Sequence, residues 1–244
     1  MRGQYSPSSV VLMDALAPEI RSDSMLARAA VDVGLMFGFA TFVALSAQIA
    51  VRLPWTTVPI TGQTFAVLVA GGALGARRGA GSLVIYMLLG MLAIPVFAPS
   101  ASSLGLSGDW AVHFILPWQG SAGLPWDISS GGYIVGFILA AYLVGHLAEK
   151  GWDRKPLGLF GMLLGNALLY VPGLLWLFYL ISSQWVPGGA PQAIGEYIAG
   201  DGALDKTLKG GLYPFIAGDI MKLYLAALAL PSAWAMVNKF KGRR

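Results

Sequence analysis

The sequence predicts an all-α integral membrane protein of six transmembrane helices with both termini cytosolic. Three observations lead there. Of its 244 residues, 56% are apolar and only 11% are charged, against about 25% charged in a soluble domain. The apolar residues gather into six runs, most of them near the roughly 20 residues that cross a bilayer. The basic residues are also segregated by loop. With the N-terminus inside, the inner segments hold Arg2, Arg21, Arg28, Arg77, Arg78, Lys150, Arg154, Lys155, Lys239, Lys241, Arg243 and Arg244, twelve in all. The outer segments hold three, Arg52, Lys206 and Lys209. Positive residues mark cytosolic loops, so the net charge of +4 reflects topology and not nucleic-acid binding.

Residues 1–24 read as a cytosolic tail with room for a short interfacial helix. Residues 25–238 form the membrane domain, and 239–244 form a basic cytosolic end. Span 1 runs over 25–53. Pro54 and Pro59 break any helix in the segment that follows. Span 2 covers 63–76 and is short. A tight turn is expected at Arg77-Arg78-Gly79, before span 3 over 80–96. Residues 98–130 make a long outer loop with an interfacial piece, WAVHFILPW, since Trp favours the headgroup level. Span 4 covers 131–148, span 5 covers 157–182, and a second outer loop covers 183–210. Span 6 runs from Gly211 to Val237.

Span 6 carries the chemistry. Asp219 and Lys222 lie three positions apart, so a helix puts them on one face. Each costs roughly 2.5–3.5 kcal/mol in mid-membrane on insertion scales, which marks them for function. Entering from outside, Asp219 lies about 12 Å deep and Lys222 about 16 Å deep, at 1.5 Å per residue. The same topology places Thr61 and Gln63 at the mouth of span 2, and Gly132 and Tyr133 at the head of span 4. Tyr170 and Trp176 fall in the outer half of span 5. These groups share one layer, which predicts an outward-facing pocket for a small polar molecule. The plainer alternatives are an ion pair that staples helices, aromatic residues of the interface belt, and a Gln63 that only caps span 2. Asn166, near mid-membrane, is expected to bond another helix. On span 1, Ala30, Gly34 and Gly38 make a smooth ridge, suited either to internal packing or to docking of a membrane partner.

Several functions are excluded. The chain has no cysteine, so thiolate metal sites are absent, and His113 and His146 are too far apart in sequence to suggest a metal site. The glycines of GGALGARRGAG follow no strand and lack Gly-Lys-Ser/Thr, so no phosphate loop is expected. No hydrolase motif is present, and the chain reads as a non-enzyme.

Four stretches, in order, carry a resemblance: VPITGQTFAVLVAGGALGARRGAGSLVIYMLLGMLAIPVFA at 58–98, SGGYIVGFILAAYLVGHL at 130–147, LGNALLYVPGLLWL at 164–177 and GLYPFIAGDIMKLYLAA at 211–227. Together they resemble BioY, the biotin-specific substrate-binding (S) components of energy-coupling factor transporters. The resemblance implies the six-helix S-component fold in a cell membrane, with biotin held near the outer face. It implies a gate between spans 1 and 2, here Thr57, Val58, Pro59, Ile60 and Thr61, and a grip by Asp219 and Lys222. It implies a membrane-embedded coupling (T) protein docked at Ala30, Gly34 and Gly38, and two cytosolic ATPases that use the ATP. No cofactor or metal is expected in this chain. Two departures stand out. The outer loops are long for that family, and no Arg or Lys lies between Arg78 and Lys150. That leaves Thr61, Gln63 or backbone amides for the biotin carboxylate. From the residues alone, an ion-coupled carrier with Asp219 as proton relay, a scaffold subunit, or an S component for another vitamin remain alternatives.

Overall fold

The computed structural model describes residues 11–16, 24–53, 55–99, 111–113, 120–154, 157–188 and 190–241. Most of the N-terminal tail and of the WAVHFILPW piece, and Arg2, Arg21, Lys155, Arg243 and Arg244, lie outside them.

A short helix α1 (Leu12–Leu16) precedes α2 (Met25–Gln48), α3 (Gln63–Leu74), α4 (Ala76–Met91), α5 (Gly131–Glu149), α6 (Leu157–Ser182), α7 (Gly202–Gly211) and α8 (Tyr213–Lys241). Among the described residues, four stretches are long and apolar enough to cross a membrane: Met25–Gln48, Gly131–Glu149, Gly158–Ser182 and Gly202–Lys239. The α3 helix is apolar but shorter, with 12 residues. Large apolar side chains such as Leu139, Leu163, Leu175, Ile220 and Leu228 point outward, as a surface facing hydrocarbon requires.

α5 is the central post, packed against α3, α4 and α6. Close approach is possible because α5 meets α6 at glycines. A Cβ on Gly132 would sit 2.4 Å from the Pro172 carbonyl oxygen.

Two ends can be told apart by their polar contacts. At one end Arg78 pairs with both Asp14 and Asp32, at 2.9 and 3.0 Å. There Glu149 accepts from the Ala76 amide at 2.8 Å, capping the start of α4, and Trp234 of α8 donates to Asp153. Arg28, Arg77, Arg78, Lys150, Arg154 and Lys239 all belong to elements of this end. Arg52, Lys206 and Lys209 belong to the other.

Four expectations are corrected. The turn before the third apolar run is not at Arg77-Arg78-Gly79. It is at Gly75, whose φ of +83° places it in the left-handed region that favours glycine, and both arginines lie in the first turn of α4. Span 1 does not continue to Leu53, because α2 stops at Gln48 and the chain becomes strand β1 (Ala50–Arg52). β1 pairs antiparallel with β2 (Ile60–Thr61) and with β3 (Ala111–His113), the latter from the long loop, in the order β2-β1-β3. The fold is therefore helical with a small sheet at one end, built of strands too short to show a two-residue period. The segment before α2 is not merely interfacial, since Val11, Leu12 and Ala15 are buried, the last two in a cluster with Leu230 and Trp234. The second outer loop contains α7.

Candidate ligand-binding site

At the sheet end of the bundle lies a partly open cavity, about 530 Å³ of unfilled space with the open solvent at its mouth counted in. α8 supplies its charged wall. Lys222 Nζ donates to Asp219 Oδ1 at 2.9 Å, and the Tyr170 hydroxyl donates to Oδ2 at 2.6 Å. Both charges are buried, with side chains 4% and 11% exposed. Each Asp219 oxygen accepts one of these bonds and keeps a lone pair for another donor.

A second polar group of the lining is neutral. The Thr61 hydroxyl donates to Gln63 Oε1 at 2.9 Å, and Gln63 Nε2 donates to the Tyr86 hydroxyl at 2.7 Å. Tyr86 is fully buried, edge-on to Phe97. Its oxygen is already an acceptor, so its own proton is available to the cavity. Phe137, Tyr133 and Phe215 add aromatic surface to the same lining.

Of the residues singled out in the sequence, Asp219, Lys222, Gln63, Thr61, Tyr133 and Tyr170 line this cavity, as do Val58 and Pro59 of the 57–61 segment. Ile60 lies over Gly218 of α8, its Cγ2 3.7 Å from where a Cβ would sit. Thr57 is buried away from the cavity, and its carbonyl accepts from Ser129 at 3.3 Å. Trp176 and Gly132 are not brought into the cavity. Trp176 donates to the Ile128 carbonyl at 3.0 Å and, with Gly132, closes the seam between α5 and α6. Ala30, Gly34 and Gly38 are exposed on α2, and a Cβ on Gly34 or Gly38 would meet nothing within 4 Å.

Sequence reasoning missed Tyr86. Counted from the outer end of span 3 at 1.5 Å per residue, Tyr86 lies about 15 Å deep, level with Lys222, a signal that was present in the sequence.

The lining offers a charged donor and acceptor, neutral hydroxyl and amide groups, and aromatic surface. It suits a small amphipathic molecule with a polar ring. Among the described residues no cluster of His, Asp or Glu could hold a metal.

Known proteins share this architecture. The model of the BioY family matches residues 20–239. A probable biotin transporter BioY of Pyrococcus horikoshii is 31% identical over 197 residues, covering 81% of this chain and 92% of the relative. The biotin transporter BioY of Rhizobium etli is 29% identical, covering 78% and 84%. Among solved structures, the S-component for biotin from an ECF-type ABC transporter superposes with a TM-score of 0.62 at 18% identity, covering 86% of this chain and 94% of that one. The fold is thus that of an S component, and the family match extends over nearly all of the sequence, cavity walls included: the chain belongs to the BioY family, whose members are transporters and not enzymes.

Proposed function

We propose that this protein captures biotin at the outer face of a cell membrane and passes it inward as the substrate-binding subunit of an energy-coupling factor transporter. The observation that carries the reading is the cavity between Asp219 and Tyr86. Biotin has a ureido ring with two N–H donors and one carbonyl, a flat apolar bicycle and an acidic tail. Asp219 accepts from a ureido N–H with its remaining lone pairs, and Lys222 donates to the carbonyl or balances Asp219. Tyr133 and Phe137 suit the bicycle. Thr61, Gln63 and the Tyr86 hydroxyl serve the carboxylate. A site built on such bonds rejects analogues that lack them, since its own buried groups would be left unpaired.

The basic residues at the Arg78 end make that end cytosolic by the positive-inside rule. Six crossings, α2, α3, α4, α5, α6 and α8, then leave both termini inside and the cavity facing out. The names of the relatives and of the structural neighbour support biotin as substrate and an ECF complex as the setting. In that setting a membrane-embedded coupling protein packs along Ala30, Gly34 and Gly38, and two cytosolic ATPases supply the energy.

The test is mass spectrometry of the small molecule that co-purifies in mild detergent, followed by titration. One biotin per chain is the expected result. Uptake into liposomes driven by a pH gradient, without ATPases, contradicts the reading and points to an ion-coupled carrier.

A further inference from the structure

α7 and α8 belong to one helical, apolar stretch, Gly202–Lys239, broken at Leu212. The break frees two carbonyls. In an unbroken helix the Gly210 oxygen would accept from the amide of residue 214, but residue 214 is proline and has no N–H. The Gly211 oxygen would accept from Phe215, whose amide instead bonds the Leu212 carbonyl at 3.0 Å. Buried carbonyls need donors, and here both come from side chains. The Thr56 hydroxyl, next to the 57–61 segment, donates to the Gly210 oxygen. The Tyr133 hydroxyl, on the cavity wall, donates to the Gly211 oxygen at 2.7 Å. Neither glycine has room for a side chain. A Cβ on Gly210 would lie 2.8 Å from Ile198, and one on Gly211 would lie 2.6 Å from the Tyr133 oxygen.

Two adjacent carbonyls therefore tie the gate segment and the cavity wall to one point. The contacts continue inward. The Tyr133 ring meets Tyr170 edge-on at 5.9 Å, and Tyr170 holds Asp219. The gate segment has a second side-chain tie, from Ser129 to the Thr57 carbonyl at 3.3 Å. Thr56 itself lines no part of the cavity.

We propose that the Gly210–Gly211 break is the latch of the gate. Thr56 holds the 57–61 segment shut against the end of α7, and Tyr133 couples whatever occupies the cavity to the same two carbonyls. Thr56 is a positioning residue: it sets how fast the gate opens without touching ligand. This rests on the reading of 57–61 as a gate over a biotin cavity.

The chain has no cysteine, so Val58→Cys gives a single reporter inside the cavity, at a position only 6% exposed. Its rate of reaction with a membrane-impermeant maleimide, measured on ligand-free protein in membranes, reads gate opening. Adding Thr56→Val, which keeps the shape and removes both the donor to Gly210 and the acceptor that the Val58 amide uses at 3.2 Å, is expected to speed labelling at least about fivefold, the loss of one net hydrogen bond or more. Thr56→Ser keeps the hydroxyl and is expected to restore the original rate, a rescue that a loss of packing alone would not give. Biotin dissociation should quicken in Thr56→Val by a similar factor. Tyr133→Phe, which removes the other tie, should also speed labelling and serves if Thr56→Val does not fold. Unchanged labelling in Thr56→Val and Tyr133→Phe overturns the latch, as does equal acceleration by Thr56→Val and Thr56→Ser. Labelling uses no biotin, so failure of the wild type to bind biotin sinks the ligand reading alone.

Discussion

Among the described residues a buried carboxylate stands next to a base in two places, and the difference between them separates function from architecture. Asp219 and Lys222 lie in the sheet end of the bundle. Asp153 and Arg154 lie at the opposite end, between α5 and α6. In both places an aromatic side chain donates to the carboxylate: Tyr170 to Asp219 and Trp234 to Asp153. At Asp153 one oxygen, Oδ1, lacks a hydrogen-bond partner among the described residues, with Arg154 3.8 Å away. The Arg154 guanidinium covers the Trp234 ring at 3.7 Å, and the space beside Asp153 is about 190 Å³, roughly a third of that beside Asp219. At Asp219 each oxygen accepts one bond and keeps a lone pair, and the carboxylate lines a pocket of about 530 Å³, open solvent at its mouth included. A buried charge pair alone is weak evidence of anything. A buried pair with unfilled bonding capacity beside an aromatic slot is a site.

That contrast is open to attack at both ends. The largest effect is expected from Lys222→Met, which leaves the Asp219 carboxylate buried without its cation. Breaking one side of a buried pair costs about 3–5 kcal/mol, so biotin binding should vanish in a titration and the melting temperature should fall. Tyr170→Phe removes one neutral donor from Asp219. A loss of about 1 kcal/mol, near fivefold in affinity, is expected; no change would mean that Tyr170 only packs.

Asp153→Asn acts on stability instead. Burial pushes the Asp153 carboxyl above its ordinary value, against the lowering effect of Trp234 and Arg154. A folded-state value raised above the unfolded one favours the fold fully at pH below the unfolded carboxylate range and loses that contribution as pH rises through the folded value. Asparagine does not titrate and still accepts from Trp234. The melting temperature of Asp153→Asn relative to wild type should therefore rise between pH 4 and pH 7, and a flat difference contradicts the assignment. The smallest effect is expected from Trp176→Phe. It loses the bond to the Ile128 carbonyl, so the melting temperature should fall by about 2–4 °C, while biotin affinity stays within about twofold, as expected for a residue off the site.

Much of this contrast is legible in the residues. The spacing of Asp219 and Lys222 fixes one helical face, and the topology puts Thr61, Gln63 and Tyr133 at the outer ends of their spans and Tyr170 near the middle of its own. Depth does not give direction. Gly132 and Trp176 share the layer but face the α5–α6 seam, which only the packing of two helices decides. The three-stranded sheet escaped notice because strands of two or three residues have no measurable alternation. α7 hid in a loop because its glycines and mixed charges argue against a helix locally, while its packing against α6 and α8 stabilises one. The buried fate of α1 followed from tertiary contacts with α3 and α8 that no local pattern announces.

The central claim is that access, not burial, makes the Asp219 end a binding site. Biotin titrated against wild type, Asp219→Asn and Asp153→Asn in the same detergent tests it most directly. The account predicts at least a tenfold loss of affinity, about 1.4 kcal/mol, for Asp219→Asn and less than about a twofold change for Asp153→Asn. Equal affinities for all three, or a larger loss at Asp153, contradict it.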